Sequence, residues 1–336
     1  MPAPARPAPS PVVLLVYPVT LLLGSLFSVI SPVARSTRSS SHDPAAPLAP
    51  SLAADLHLSE SPVNYFARKS NIFNLYFVKV GWIWLTVAFA SLVLFQPAYN
   101  LSSASHAQQE IRFRRSIQAF LRWCLATIVW YLTTQWFFGP AIIDRSFMIT
   151  GGKCGQALDL VAKANSESSS VQLETVFTAA ACKAAGGAWK GGHDISGHVF
   201  MLVLVTALLV FEAVGAGAVA ASPSAAPESA GRERKASDPN ALPNGDQDAS
   251  FGTGRTWSMR LVWGVVVLGW WMLFMTAIWF HTWLEKWSGL AIALSTIYVI
   301  YILPRRLPPW KDIVGLPGGI DVRTSAFFSL CEHILR

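Results

Sequence analysis

The sequence predicts an all-α, polytopic membrane protein with six transmembrane helices. Apolar residues make up 52% of the 336-residue chain and charged residues only 13%, whereas charged residues are about 25% of a typical soluble domain. Six apolar runs approach the roughly 20 residues that a helix needs to cross the hydrocarbon core. Helices are expected because a backbone exposed to lipid must satisfy its hydrogen bonds within its own segment.

The predicted spans divide the chain into an N-terminal region, a main membrane domain and a tail. They cover residues 12–30, 75–95, 123–143, 199–221, 261–280 and 287–303. The alternative for the first run is a secretory signal peptide, but its apolar stretch is long and no A-x-A cleavage site follows. We therefore expect a retained first span and a disordered segment over 1–60, the membrane domain over 61–304, and a cytosolic tail over 305–336. Within the domain, the Pro-, Ser- and Gly-rich loop 222–256 is predicted to be disordered.

The basic residues next to the membrane predict the orientation of the chain. Six spans place both termini on one side, and that side carries "RFRR" at 112–115 and "LPRR" at 303–306. Because basic residues close to a span favour the cytosolic side, both termini are predicted to be cytosolic. The loops 31–74 and 144–198 then face the opposite, lumenal side.

The second lumenal loop contains two cysteines, Cys154 and Cys182. A disulfide between them fits an oxidising compartment, and two free thiols are the alternative. Cys124 lies in a predicted span and Cys331 in the predicted cytosolic tail, so neither is a good partner for a lumenal cysteine.

Two histidines are predicted to lie at the lumenal face, where the topology makes a meeting between them possible. His198 opens the fourth span, within "GGHDISGHVF", and His281 closes the fifth span, within "AIWFHTWLEKWSG". The short link between the fifth and sixth spans places His281 at a tight lumenal turn. The topology therefore sends both imidazoles to one membrane face from different helices.

The residues before His198 suit a phosphate. Asp194 is the predicted N-cap and Ile195 the first helical residue, so Ser196, Gly197 and His198 form the first turn. A helix N-terminus offers unpaired N–H groups and partial positive charge. Gly197 allows close approach to the backbone, Ser196 adds a hydroxyl donor, and His198 is a candidate general acid.

Two carboxylates in the apolar regions have different predicted roles. Glu285 follows His281 by four residues, so the two share a face if the helix continues, and the pairing fails if the helix breaks at the turn. If paired, the carboxylate fixes the imidazole tautomer and strengthens the other nitrogen as a nucleophile. Glu212 lies about 21 Å along the fourth span from His198, which favours a structural role near the cytosolic end. The non-functional alternatives are that Asp194 is only a helix cap and that each histidine is an ordinary side chain at the membrane interface.

The segments "CKAAGGAWKGGHDISGHVFML" and "MTAIWFHTWLEKWSGLAIA" resemble the fat storage-inducing transmembrane (FIT) family of endoplasmic reticulum proteins, in a form typical of fungi. The resemblance covers residues from about 75 to 303. The family is similar to lipid phosphate phosphatases, which implies a lipid phosphate phosphatase-like helical bundle. It implies a fatty acyl-CoA diphosphatase that releases acyl 4′-phosphopantetheine and adenosine 3′,5′-bisphosphate and supports lipid droplet formation and endoplasmic reticulum homeostasis.

The resemblance also implies roles for individual residues. The histidine of the SGH motif is the general acid of lipid phosphate phosphatases, and a second histidine forms a phosphohistidine. These correspond to His198 and His281. The chain departs from that pattern because Ile195 replaces a proline, Met275 replaces an arginine, Glu285 replaces an aspartate, and the upstream basic motif is missing.

The missing basic residues leave phosphate charge without compensation. The lumenal lysines Lys183, Lys190 and Lys286 are the candidates to supply it. A metal would be another remedy, but the ligand set is thin, so no metal and no cofactor are expected. Fatty acyl-CoA and membrane lipids are the expected partners, nucleic acid is not, and no protein partner is indicated. The alternatives to a diphosphatase are a lipid phosphomonoesterase, a non-enzymatic neutral-lipid binder and a bis-histidine haem protein.

Overall fold

The described part of the chain is helical apart from one short ladder. The computed structural model describes residues 10–34, 64–68, 70–100, 106–135, 141–154, 182, 189–190, 193, 195–220 and 245–318. Its helices are α1 (Val16–Ile30), α2 (Gly81–Phe95), α3 (His106–Thr134), α4 (Ile142–Ile149), α5 (Gly197–Ala220), α6 (Gly245–Trp279), α7 (Trp283–Ile297) and α8 (Pro308–Val314). The two-residue strands β1 (Lys153–Cys154) and β2 (Trp189–Lys190) pair antiparallel.

Shorter turns extend several of these helices. A 3-10 turn, Pro11–Leu15, leads into α1, and a π-helical segment, Asn74–Val78, precedes α2. A second π-helical segment, Tyr298–Ile302, and a 3-10 turn, Leu303–Arg305, continue α7. These turns make several apolar helices longer than their α-helical parts.

Four helical segments are long and apolar enough to cross a membrane. They are Pro11–Ile30, Gly197–Val219, Gly252–Trp279 and Trp283–Arg305. They correspond to the predicted first, fourth, fifth and sixth spans, and they make the chain a multi-pass membrane protein. The predicted count of six is not confirmed by these segments.

The two remaining predicted spans take different forms. The run predicted over 75–95 is interrupted at Lys79 and Val80, which leaves α2 as a 15-residue apolar helix. The run predicted over 123–143 is the apolar C-terminal part of α3, which ends at Thr134 and extends back to His106 through the charged "RFRR" segment. The hydropathy of the sequence located these apolar runs but not the helix boundaries.

The predicted disordered loop 222–256 is partly helical, so that prediction was wrong for its C-terminal part. Helix α6 begins at Gly245. The polar residues of "GDQDASFGTGRTWSM" hide this beginning from a search for apolar runs, although they continue the same helix. Residues 222–244 lie outside the described residues, and so does most of the N-terminal sequence predicted to be disordered, namely residues 1–9 and 35–60.

Helix α5 forms the centre of the bundle. It packs against α2, α6 and α7, and side chains around its whole circumference are buried, including Leu204, Leu208 and Phe211. A helix that is hydrophobic all round is expected at the core. Both ends of α5 are therefore held by neighbouring helices.

Helix α1 is part of the same bundle. Its small residues allow close approach to α6, since a Cβ added at Gly24 would lie 2.6 Å from the Cβ of Ala277. The Ser28 hydroxyl donates to the carbonyl oxygen of Ile278 at 2.6 Å. Small residues and interhelical hydrogen bonds are what hold membrane helices together. The first predicted span thus supports the end of α6.

A buried ionic network joins the other end of the bundle. The Arg122 guanidinium donates to both carboxylate oxygens of Glu212, at 2.6 and 2.9 Å, and to the carbonyl oxygen of Val314 at 2.8 Å. The hydroxyls of Tyr99 and Tyr301 each donate to Glu212 at 2.9 Å. Burial and the nearby Glu212 charge raise the pKa of the Tyr99 phenol, so it remains a donor. These contacts agree with the structural role that the sequence predicted for Glu212.

Candidate active site

His198 and His281 lie together at the end of the bundle opposite this network. His198 is in the first turn of α5, and His281 is in the link between α6 and α7. Their ring centroids are 6.1 Å apart and their planes are inclined by 49°. The structure therefore brings together the two histidines that the sequence places on one membrane face.

The first turn of α5 begins two residues later than predicted. The helix starts at Gly197, and the Ser196 hydroxyl accepts a hydrogen bond from the N–H of Val199 at 3.3 Å. Ser196 is therefore the N-cap, and the prediction that Ile195 is the first helical residue was wrong. Asp194 lies outside the described residues. Because Ser196 is fully buried and occupied as a cap, its hydroxyl is not the exposed phosphate donor that the sequence indicated.

Backbone contacts lock the start of α5 to the start of α7. The N–H of Ser196 donates to the carbonyl oxygen of Glu285 at 3.1 Å. A Cβ added at Gly289 would lie 2.6 Å from the carbonyl oxygen of Ser196, so only glycine permits this approach. At Gly197, by contrast, an added Cβ would meet only Ile143, at 3.5 Å, which leaves room beside the backbone for an approaching group.

His281 adopts a backbone conformation that is rare for a side-chain-bearing residue. Helix α6 ends at Trp279, and α7 begins at Trp283 after Thr282 as its N-cap. His281 lies between them and has a φ of 61°. Among the described residues, it is the one residue other than glycine whose φ is positive. Such backbone strain concentrates at functional sites.

Glu285 pairs with His281 although the helix between them is broken. Its Oε2 lies 3.1 Å from His281 Nδ1 and accepts from the Thr282 N–H at 2.9 Å. The prediction that a break would prevent this pairing was wrong, because Thr282 and Glu285 form a capping box that turns the carboxylate back towards the residue before the cap. With Nδ1–H donating to the carboxylate, Nε2 of His281 carries the lone pair that a nucleophile requires.

Asn74 is a site residue that the sequence analysis missed. Its Oδ1 lies 2.9 Å from Nε2 of His198, and its side chain comes from the π-helical segment that precedes α2. The available signal was an amide at the first position of an otherwise apolar run, in "NIFNLYFV".

A third histidine lies at the same end of the bundle. His193 Nε2 is 3.0 Å from the Ser288 hydroxyl, and that hydroxyl donates to the carbonyl oxygen of Glu285 at 2.9 Å. The backbone N–H of His193 donates to the Thr150 hydroxyl at 2.6 Å. His193 therefore fastens the segment before α5 to α7 and to the end of α4.

The basic residues considered for phosphate binding are not all available. Lys286 is 1% exposed, and its ammonium donates to the Ala277 carbonyl oxygen at 2.6 Å and to the Ser25 hydroxyl at 3.0 Å. It therefore supports the end of α6 instead of facing a substrate. Lys183 and the side chain of Lys190 lie outside the described part of the chain. Among the described residues, no group of three or more His, Cys, Asp or Glu side chains is placed to hold a metal ion.

One of the predicted disulfide cysteines is oxidised. Cys182 is fully buried and in a disulfide, whereas Cys124 is free. The ladder between β1 and β2 places Cys154 opposite Trp189, which holds the two ends of the intervening loop together. The side chain of Cys154 is not among those described, so its pairing with Cys182 stays a prediction.

The family of the chain follows from comparison with known proteins. The family model described as "Fat storage-inducing transmembrane protein" matches residues 62–301. The chain belongs to the fat storage-inducing transmembrane (FIT) family. Every site residue described above, from Asn74 to Ser288, falls within the matched part of this FIT chain. Helix α1, which supports the end of α6, lies before it.

Individual relatives of this FIT chain carry informative names. It is 29% identical over 300 residues to "Acyl-coenzyme A diphosphatase fit1" of Schizosaccharomyces pombe, a match that covers 89% of this chain and 87% of the relative. It is 34% identical over 152 residues to "Acyl-coenzyme A diphosphatase FITM2" of Drosophila melanogaster. It is 32% identical over 153 residues to the protein of the same name from Danio rerio.

The matches to the animal relatives are partial. They cover 45% of this FIT chain and 28% of the Drosophila protein, and 46% of this chain and 50% of the Danio protein. No solved structure matches the chain significantly.

Proposed function

We propose that this FIT-family chain is a fatty acyl-CoA diphosphatase. The observation that carries the proposal is the approach of His198 and His281 to a ring-centroid distance of 6.1 Å, with Glu285 on Nδ1 of His281. The name of the Schizosaccharomyces pombe relative, which aligns with 89% of this chain, supports the same activity. The substrate is the pyrophosphate of acyl-CoA, and the products are acyl 4′-phosphopantetheine and adenosine 3′,5′-bisphosphate.

The proposed reaction divides the work between the two imidazoles. Nε2 of His281 attacks one phosphorus of the pyrophosphate, so that an N–P bond forms while the bridging P–O bond breaks. His198 gives a proton to the departing bridging oxygen. Water then attacks the phosphorus, the N–P bond breaks, and the attacking water's proton passes to a site base. Glu285 holds the tautomer of His281 and stabilises positive charge on its ring.

The proposed placement of the site follows the arrangement of the helices. In this proposal the chain crosses six times, with α2 and its preceding segment as the second crossing and the apolar part of α3 as the third, so both termini lie on one side. The basic residues next to the membrane favour the cytosol as that side. The histidine end then faces the lumen of the endoplasmic reticulum. There the enzyme acts on an amphiphile held by a lipid phosphate phosphatase-like bundle and surrounded by membrane lipids, and its activity supports lipid droplet formation and homeostasis of that membrane.

Turnover by the purified chain tests this proposal. The full chain is reconstituted in phospholipid nanodiscs and supplied with a long-chain acyl-CoA, and released adenosine 3′,5′-bisphosphate is measured by mass spectrometry. We expect nucleotide release in equal amount with acyl 4′-phosphopantetheine. Binding of triacylglycerol without any nucleotide release would instead favour the non-enzymatic lipid binder.

Glycosylation tests the orientation separately. Asn100 stands in an "NLS" sequon on the side that carries "RFRR", so it is expected to stay unglycosylated. A sequon introduced before α1 is expected to stay unmodified as well. A glycan on Asn100 of the unaltered chain would place the histidines in the cytosol.

A further inference from the structure

A groove in the surface of α6 lies at the end of the bundle that holds the ionic network. Its volume is about 400 Å³, and it is lined by Arg255, Thr256, Met259, Arg260 and Trp263. Gln96 fixes this part of α6, since its Nε2 donates to the Arg255 carbonyl oxygen at 3.1 Å and to the Ser258 hydroxyl at 2.8 Å. The Gln96 carbonyl oxygen in turn accepts from the N–H of Tyr99, a member of the network. This arginine groove is therefore separate from the histidine site, which lies beyond the other end of α6.

Both arginines of the groove carry charge that the described side chains leave uncompensated. Neither guanidinium forms an ion pair or a hydrogen bond with another described side chain. No aspartate or glutamate stands three or four residues before or after either arginine, where a partner on the same helix face would lie. The group that approaches is aromatic, because the Arg260 guanidinium lies over the Trp257 ring, 5.3 Å from its centroid. The arginine groove therefore offers two cationic groups to an anion from outside the chain.

An apolar strip continues from the groove along α6. Trp263, Val267 and Trp270 are exposed, and their spacing of three to four residues puts them on one face of the helix. Trp270 is held in place by its Nε1, which donates to the Thr20 hydroxyl of α1 at 2.8 Å. From Arg260 to Trp270 the helix rises by about 15 Å, which is half of the ~30 Å hydrocarbon core. Cationic groups at one end and exposed apolar surface over the depth of one leaflet match the shape and charge of a phospholipid.

We propose that the arginine groove and the apolar strip bind one anionic phospholipid, with its phosphate at the two arginines and an acyl chain along the strip. Guanidinium groups bind phosphate oxygens through paired N–H donors, and each basic residue near an anionic membrane surface adds to binding. A zwitterionic lipid suits the groove less, because its own ammonium partly cancels the charge that attracts the arginines. The inference does not depend on the diphosphatase reaction. The orientation proposed above makes the lipid one of the cytosolic leaflet.

An ordinary interfacial role for the two arginines makes a different prediction. Basic residues next to a span favour one side of the membrane wherever they stand on that side. Arg306 is the matched control, because it is an exposed arginine at the same end of the bundle, after the turn that continues α7, and it does not line the groove. General attraction of anionic lipid falls equally when any one of these charges is removed, whereas a built site responds only to Arg255 and Arg260.

Lipid retention, measured by native mass spectrometry, tests the proposal. Wild type, Arg255→Gln, Arg260→Gln and Arg306→Gln are reconstituted in nanodiscs of dioleoyl-phosphatidylcholine with a minor fraction of dioleoyl-phosphatidylglycerol. The two lipids share their chains and their phosphate diester and differ in the headgroup cation. We expect wild type to leave the disc with one phosphatidylglycerol bound. Loss of either groove arginine should lower the ratio of retained phosphatidylglycerol to phosphatidylcholine by about fivefold, while Arg306→Gln keeps the wild-type ratio.

Photo-crosslinking locates the lipid without any substitution at the arginines. Phosphatidylglycerol and phosphatidylcholine that carry a diazirine in the middle of one acyl chain are each added in trace amounts to wild-type nanodiscs, and the labelled peptides are mapped. We expect the phosphatidylglycerol probe to label α6 between Trp263 and Trp270 more than the phosphatidylcholine probe does, and the two probes to label the other lipid-facing helices equally. The same ratio of the two probes on every helix would overturn the proposal.

Other occupants of the groove would be recognised in the retention measurement. Equal ratios in wild type, Arg255→Gln and Arg260→Gln, or an equal fall in Arg306→Gln, would leave only general attraction of lipid and refute the site. Displacement of the retained lipid by soluble glycerophosphoglycerol would identify a site for a free anion instead of a lipid. A dimer released without bound phospholipid would show that the apolar strip is a contact between two copies of the chain.

Discussion

Nδ1 of His281 and Oε2 of Glu285 lie 3.1 Å apart across a break between two helices. In an unbroken helix the same contact would be an ordinary pair of side chains four residues apart. Here the carboxylate has a second task, since its Oε2 also accepts the N–H of Thr282, the residue that caps α7. One carboxylate therefore fixes both the turn and the imidazole within it.

Removing the charge of Glu285 should impair turnover more than folding. Glu285→Gln keeps an acceptor that can complete the capping box but removes the negative charge beside His281. Charge-assisted hydrogen bonds contribute about 1.5–3 kcal/mol, so we expect kcat to fall by about 10- to 150-fold with little change in melting temperature. A melting temperature that falls in proportion to activity would show that Glu285 acts only through the turn.

The positive φ of His281 predicts how substitutions there affect stability. A left-handed conformation is unfavourable by about 1–2 kcal/mol for residues with a Cβ, and asparagine tolerates it better than most. We expect His281→Gly and His281→Asn to unfold near the wild-type temperature, and His281→Val to be less stable than His281→Gly by about that amount. Equal stability of the glycine and valine variants would contradict the observed backbone conformation. All three should be inactive.

The contact between α5 and α7 predicts that an alanine is harmful at Gly289 but not at Gly264, which lies outside this contact. Gly289→Ala places a methyl group 2.6 Å from the Ser196 carbonyl oxygen, and overpacking of this kind is destabilising by about 1–3 kcal/mol. Because the same contact sets the separation of His198 and His281, activity should fall as well. Gly264→Ala in α6 is the control, since nothing lies within 4 Å of its added Cβ. If both variants retain full activity, the helix contact does not set the histidine geometry.

The network at the opposite end should affect stability alone. Arg122→Leu leaves the buried Glu212 carboxylate without its ion pair, and breaking a buried pair in this way typically lowers stability by about 3–5 kcal/mol. Arg122→Leu with Glu212→Leu should be more stable than Arg122→Leu, because the uncompensated charge is gone. Activity per folded molecule, measured below the melting temperature, should match the wild type. A change in leaving-group dependence in the double variant would show that this network is coupled to the histidine site.

The disulfide of Cys182 should involve Cys154. Closing a loop of about 27 residues contributes roughly 3 kcal/mol through chain entropy. Cys154→Ser and Cys182→Ser are therefore expected to lower stability equally, and the double substitution should add nothing further. Peptide mapping without reduction checks the pairing directly, and a Cys182 peptide joined to any other cysteine would refute it.

The sequence predicted most of the membrane helices and the placement of the two histidines on one membrane face, because both depend on apolar run length and on the alternation of sides. It left open whether the two rings meet. His198 and His281 could be placed on one face from the parity of the spans alone. Helix ends were harder to predict. Asp194 and Ser196 are both good capping residues, and only the buried contact of Ser196 with α7 distinguishes between them.

The contacts that cross between distant segments could not be predicted. Lys286 follows Glu285 directly, and nothing in the sequence indicates that its ammonium is buried against Ser25 while Glu285 faces His281. Asn74 is locally marked only as an amide at the start of an apolar run, and nothing near it in the sequence indicates that it contacts His198. Such pairings depend on how α1, α5 and α7 are rotated against one another, which hydropathy does not report.

Covalent labelling of His281 tests the account most directly. Wild type, His198→Ala and His281→Ala in nanodiscs are mixed with long-chain acyl-CoA, quenched in base within milliseconds, and analysed as intact proteins and peptides by mass spectrometry. The account predicts a phosphorus-linked adduct on the peptide that contains His281 in wild type, stable in base and lost in acid as a nitrogen–phosphorus bond should be. It also predicts neither adduct nor nucleotide release in His281→Ala. Wild-type rates of adenosine 3′,5′-bisphosphate release from His281→Ala would contradict it.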